Sequence, residues 1–136
     1  MKKIKNTIKI LSFSAILSIL FTVVVYAMTS HNLGSISITS TYNNYFGSYD
    51  YTDATAYATY SINRISTGSL SYTRFYTTLE RSTAGYWQGL GTKTTSPTAA
   101  NLSIRVTWQD INAGTFRYHV VGNSGTTYTT LTVGSY

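Results

Sequence analysis

Residues 102–109 alternate apolar and polar side chains without a break. Leu102, Ile104, Val106 and Trp108 fall on one side, and Ser103, Arg105, Thr107 and Gln109 on the other. Side chains two apart share a face of a β-strand, so a segment of this kind gathers its apolar residues only when extended. The same period recurs along the chain. In residues 35–42, Ile36, Ile38 and Tyr42 oppose Ser35, Ser37, Thr39 and Thr41. In residues 54–65, Ala54, Ala56, Ala58, Tyr60 and Ile62 oppose Thr55, Tyr57, Thr59 and Ser61. Alanine favours helix, but the strict period of two and the β-branched partners override that preference here.

Residues 70–81 read as a third strand with a phase change. Leu70, Tyr72, Arg74 and Tyr76 share one face while Phe75 and Leu79 point the other way, and a bulge between Arg74 and Phe75 would reset the alternation. Residues 116–121 alternate Phe116, Tyr118 and Val120 with Arg117, His119 and Val121. Thr127, Thr129, Leu131 and Val133 share a face in the last strand. Ser66-Thr67-Gly68-Ser69 reads as a hairpin turn, as do Asn112-Ala113-Gly114 and Gly122-Asn123-Ser124-Gly125. Residues 43–53 read as a tyrosine-rich connection, Tyr86-Trp87-Gln88 as a short strand, and 93–97 as a loop. Residues 102–133 then form a three-strand meander. The expectation is an all-β fold: a small antiparallel β-sandwich, or a partly open barrel, of six to seven strands. Its edges are expected at 35–42 and 126–133, which carry neither proline nor lysine to block strand addition.

The N-terminal segment follows another pattern. Lys2, Lys3, Lys5 and Lys9 precede an apolar run from Ile10 to Val25, broken only by serines and a threonine, and Val25-Tyr26-Ala27 ends it with small residues at the two positions a signal peptidase reads. A basic head, an apolar middle and a small-residue exit make a secretory signal. The run is shorter than the roughly 20 residues a membrane-spanning helix needs. The reading is therefore a signal peptide over 1–27, a single secreted domain over 28–136, and no membrane insertion after cleavage. The basic, isoleucine-rich leader suits a bacterial source.

Removing the leader changes the electrostatics. The whole chain carries a formal charge of +6, but four of its five lysines lie in the leader. Lys93 and five scattered arginines then face Asp50, Asp53, Glu80 and Asp110. With so small an excess and no basic cluster, nucleic-acid binding is not expected. There is no cysteine, so a secreted domain of this size must hold together by packing and backbone pairing alone.

Groups able to do catalysis are few. His31 lies near the start of the mature chain, and His119 sits mid-strand, facing solvent, with no partner apparent. No nucleophile elbow occurs. Asp50, Asp53, Glu80 and Asp110 could supply a carboxylate pair, but their separations are not legible in the sequence. Asp50 and Asp53 could offer two oxygens to calcium, which wants six to eight; they read more simply as turn residues. No enzyme activity, cofactor or metal is expected.

The aromatic residues say more. Tyr42, Tyr45, Phe46, Tyr49 and Tyr51 crowd one segment, with Tyr57 and Tyr60 just beyond, and Trp87 lies among glycines. Tyrosine joins an apolar ring to a polar tip and suits half-wet surfaces. Tyr45, Tyr49, Tyr51, Tyr57 and Trp87 are the candidate binding residues, with core filling as the competing role for such rings. Trp108 belongs to the core by its alternation. The functional expectation is a secreted, non-catalytic binding domain that associates with itself through edge strands or adheres to a cell-surface or matrix target. A glycan- or cell-wall-binding module and a small bacteriocin-like toxin are the alternatives.

Overall fold

A computed structural model describes residues 28–52, 54–66, 74–123 and 125–136. The leader at 1–27, Asp53, Leu70, Tyr72 and the central residues of the turn at 66–69 lie outside the described residues. The described residues form eight strands: β1 (Thr29–Thr39), β2 (Asn44–Tyr51), β3 (Ala56–Ser66), β4 (Phe75–Thr83), β5 (Tyr86–Thr95), β6 (Ser103–Trp108), β7 (Gly114–Gly122) and β8 (Thr126–Ser135). They form two four-stranded antiparallel sheets, ordered β1-β8-β3-β6 and β2-β7-β4-β5. The all-β sandwich expected from the alternation is the observed architecture.

The pairings nest. β4 pairs with β5, β3 with β6, β2 with β7 and β1 with β8. The chain is in effect one long hairpin, folded at its tip and rolled into two layers, which is the connectivity of a jelly roll. The tip is the two-residue turn Ala84-Gly85, where both residues have positive φ, 45° and 94°. A tight turn with two positive φ values matches the twist of paired strands. Only the β4–β5 connection stays within one sheet; every other connection crosses from one layer to the other.

That topology corrects four expectations. There are eight strands rather than six or seven, because residues 44–51 are a strand and not a connection. A bulge between Phe46 and Tyr49 breaks their alternation and hid the strand. β5 runs the full length of Tyr86–Thr95, so it absorbs part of the expected loop at 93–97. Residues 102–133 are not a meander: β6 and β8 lie in one sheet and β7 in the other, and likewise β3 and β4, which flank residues 67–73, lie in different sheets. Finally, β8 is an inner strand between β1 and β3, so 126–133 offers no free edge; β1 does, as do β2, β5 and β6.

The core lies between the sheets and contains most of the residues picked out by the period of two; Tyr42, Ala54 and Leu102, placed on the same faces by that period, lie beyond the strand ends and are exposed. Ile38, Ala56, Ala58, Tyr60, Ile62, Leu131 and Val133 come from one sheet, and Tyr51, Phe75, Leu79, Phe116, Tyr118 and Val120 from the other. Trp108 is buried at the end of β6, as its alternation implied. Three of the core tyrosines bring hydroxyls into this layer. The Tyr60 hydroxyl lies 2.6 Å from that of Thr77 on the opposite sheet. Tyr118 donates to the Gly134 carbonyl across the layer at 3.2 Å, and its oxygen lies 3.1 Å from the Tyr51 hydroxyl. A buried hydroxyl without a partner costs about 1–3 kcal/mol, so these pairings make a tyrosine-rich core tenable.

The chain ends are pinned without covalent links. Thr55 and Tyr136 exchange both backbone hydrogen bonds, at 3.1 and 2.9 Å. Tyr57, on the outer face of β3, lies across Gly134, and a Cβ there would come within 2.7 Å of the Tyr57 hydroxyl and run into the Thr29 carbonyl. Gly134→Ala should therefore pry β1 from β8 and lower stability by about 2–3 kcal/mol, as overpacking does, measurable by urea unfolding; an unchanged midpoint would contradict the close approach.

Burial raises the Tyr51 hydroxyl from its ordinary 10.0 to about 12. It raises Tyr49, Tyr60 and Tyr118 in the same direction. A tyrosine that holds its proton more tightly when folded stabilises the fold fully below its unfolded value and loses that contribution as pH rises through the folded value. The tyrosine contribution should thus fall away from about pH 10 upward, with the last tyrosinate absorbance appearing only as the strand circular dichroism is lost. Complete tyrosine ionisation with the strand signal intact would contradict it.

Candidate functional site

The outer face of the β2-β7-β4-β5 sheet gathers side chains that sequence spacing scatters. On β7, Arg117 and His119 are two apart and leave the strand on the side away from buried Phe116, Tyr118 and Val120. On β4, Glu80 pairs with Arg117 and Thr78 with His119. On β2, Tyr45 pairs with His119. On β5, Trp87 pairs with Ser82, one step along the face from Glu80. Cross-strand partners share a face, so Tyr45, His119, Arg117, Glu80 and Trp87 form one patch across four strands.

The contacts within it are close. The Tyr45 and His119 rings stack with centroids 4.4 Å apart and 13° between planes. The Arg117 guanidinium lies 4.4 Å from the Tyr45 ring centre and 4.4 Å from that of Trp87. Its Nε donates to Glu80 Oε2 at 2.6 Å. The other Glu80 oxygen lies 3.7 Å from His119 Nδ1, and His119 Nε2 is 3.1 Å from Asn43 Oδ1. Arg117 is thus fixed by one carboxylate and two rings, while its terminal nitrogens make no hydrogen bond among the described residues. Opposite Arg117, the β2 bulge places Gly47 and Ser48 between Phe46 and Tyr49, so no long side chain crowds the guanidinium from that edge. A cation over an aromatic ring is worth about 0.5–1 kcal/mol at an exposed site and more when drier, so the two rings and the Glu80 carboxylate together favour this orientation.

The five candidate residues part company here. Tyr45, 51% exposed, and half-buried Trp87 belong to the patch. Tyr49 is half-buried at the sandwich margin, stacked on His31 at 4.4 Å. Tyr51 and Tyr57, each 1% exposed, present no ring to a ligand: Tyr51 is in the core, and Tyr57 is covered by Arg105, 4.5 Å from its ring centre, and by Tyr136. The reading of His119 as outward-facing is right, but it has three partners rather than none. His31 is part of β1, packed on Tyr49. Arg117, His119, Glu80 and Asn43 are the members that sequence reasoning missed. The available signal was the pair Arg117 and His119 on one face of one strand; their partners come from strands far away in sequence.

Asp50 accepts a hydrogen bond from the Thr115 hydroxyl at 2.5 Å, the role of a strand-end structural residue, and Asp53 lies outside the described residues. Among the described residues, no three histidine or carboxylate side chains are grouped to hold a metal ion.

No protein-family model matches the chain, and no curated protein matches it. Among solved structures, a crystal structure of PirA is similar with a TM-score of 0.42 and 13% sequence identity, over 82% of this chain and 99% of that chain. A likeness at that level carries no argument about function.

Proposed function

We propose that the chain is an exported, non-catalytic β-sandwich that binds saccharide on a cell surface or matrix through the outer face of the β2-β7-β4-β5 sheet. Export rests on the leader pattern at 1–27. The observation that carries the binding reading is Arg117: a guanidinium held between Tyr45 and Trp87, its charge matched by Glu80, with its terminal N–H groups unspent among the described residues. Sugar hydroxyls want fixed donors and acceptors beside an apolar ring edge, and a site whose groups are already oriented loses less on binding. Because Glu80 balances Arg117, the patch suits neutral sugars rather than polyanions. Four strands of a rigid sheet hold it, which is how binding groups are kept in register.

Retention on immobilised neutral polysaccharides and on peptidoglycan checks the reading. Tyr45→Ala and Trp87→Ala should each weaken retention by about tenfold, as loss of an anchoring aromatic does. Absence of retention on every matrix, or retention unchanged in both variants, would overturn it.

A further inference from the structure

At the opposite margin of the sandwich from the β1–β2 side, the two layers part between the edge strands β5 and β6. A cavity of about 270 Å³ opens there, lined among others by Arg81, Leu90, Lys93, Trp108, Asp110 and Asn112. Its position is independent of the patch around Arg117, which lies on the outer face. The space is near the lower limit for small-molecule pockets, about right for one sugar ring.

Two cations point toward this gap from the inner face. Arg81 follows buried Leu79 by two on β4, and Lys93 is cross-strand from buried Thr77. Neither has a carboxylate within salt-bridge distance among the described residues. Arg81 is held in place: its Nη2 donates to the Ala113 carbonyl at 2.6 Å, and only the missing side chain of Gly114 leaves room for its Nε, 2.6 Å from where a Cβ would stand. Trp108, 4% exposed, forms the inner wall, its Nε1 donating to the Gly91 carbonyl at 2.9 Å across the gap. Leu90 adds an apolar flank, and Asp110 and Asn112 offer polar groups.

We infer that this cavity is a binding site for a small hydroxylated carboxylate, the chemistry of a sugar acid. The carboxylate pairs with Arg81 and Lys93, where charge-assisted hydrogen bonds are strongest. The hydroxyls meet Asp110 and Asn112, and the ring rests on Leu90 and Trp108. The contrast with the outer patch is electrostatic: there the arginine is already matched by Glu80, while here two cations face one carboxylate, Asp110, and neither is ion-paired among the described residues. An inward lysine on an edge strand can also serve only to block strand addition, and the test separates the two.

The full mature chain is titrated with D-glucuronate, D-glucose and sodium sulfate, by calorimetry and by the indole N–H resonances of its two tryptophans. Glucuronate should bind saturably and shift the Trp108 indole N–H, and affinity should fall about tenfold in Lys93→Gln, the loss of one charge-assisted contact. Arg81→Gln should weaken it further; should that variant unfold for want of its hold on Ala113, Lys93→Gln carries the test alone. Glucose binding as well as glucuronate, sulfate binding as well as glucuronate, an unmoved Trp108 resonance, or wild-type affinity in Lys93→Gln would each overturn the inference. Because these readouts sit at Trp108 and Lys93, they stand or fall apart from retention on neutral polysaccharide.

Discussion

The two sheets are tied to each other by hydroxyls as well as by apolar contact. Tyr60 reaches Thr77 across the layer, and Tyr118 reaches the Gly134 carbonyl with Tyr51 at its side. Without cysteine, no disulfide can fix how the sheets sit on one another. Apolar packing alone tolerates sliding and rotation, because it has little directional preference. A hydrogen bond made in a dry layer is directional and costly to lose. These few bonds therefore set the register of one sheet on the other, and the terminal strands depend on it, since Gly134 lies in β8 directly beside β1.

The outer patch inherits its rigidity from the same source. β7 carries Tyr118 inward and Arg117 and His119 outward, on alternate residues of one strand. Fixing Tyr118 between the sheets fixes where Arg117 meets Tyr45 and Trp87. The proposed binding surface and the core thus sit on opposite faces of the same strand, and a substitution on one face need not disturb the other. The β5–β6 margin differs: there the layers are joined by the Trp108 indole donating to the Gly91 carbonyl, and the gap beside that bond is lined by charge.

Much of this was legible in the sequence, but not the pairing. The alternation of Phe116, Tyr118 and Val120, or of Ala56, Ala58, Tyr60 and Ile62, identifies strands and their buried faces because a period of two has no other packed solution. Residues 44–51 escaped because two residues of the bulge, Gly47 and Ser48, shift the phase midway. The meander over 102–133 was a wrong inference for a different reason: consecutive strands usually pair, but in this rolled hairpin every strand except β5 pairs with one far away in sequence. The site suffered likewise. Tyr45, Glu80, Trp87 and Arg117 stand on four strands, and only the strand order brings them together. The tyrosines could not be sorted into core and surface from the sequence because a ring with a hydroxyl is at home in both; Tyr51 lies between the sheets, while Tyr57 is buried on the outer face under Arg105 and Tyr136.

The central claim is that the tyrosines between the sheets staple the sandwich, while Tyr45 on the outer face adds little to its stability. Urea unfolding of Tyr118→Phe and Tyr45→Phe tests this most directly. Tyr118→Phe removes the bonds to the Gly134 carbonyl and the Tyr51 hydroxyl and should cost about 1–3 kcal/mol, while Tyr45→Phe should stay within about 0.5 kcal/mol of the parent. Equal losses in the two variants, or no loss in Tyr118→Phe, would contradict the account.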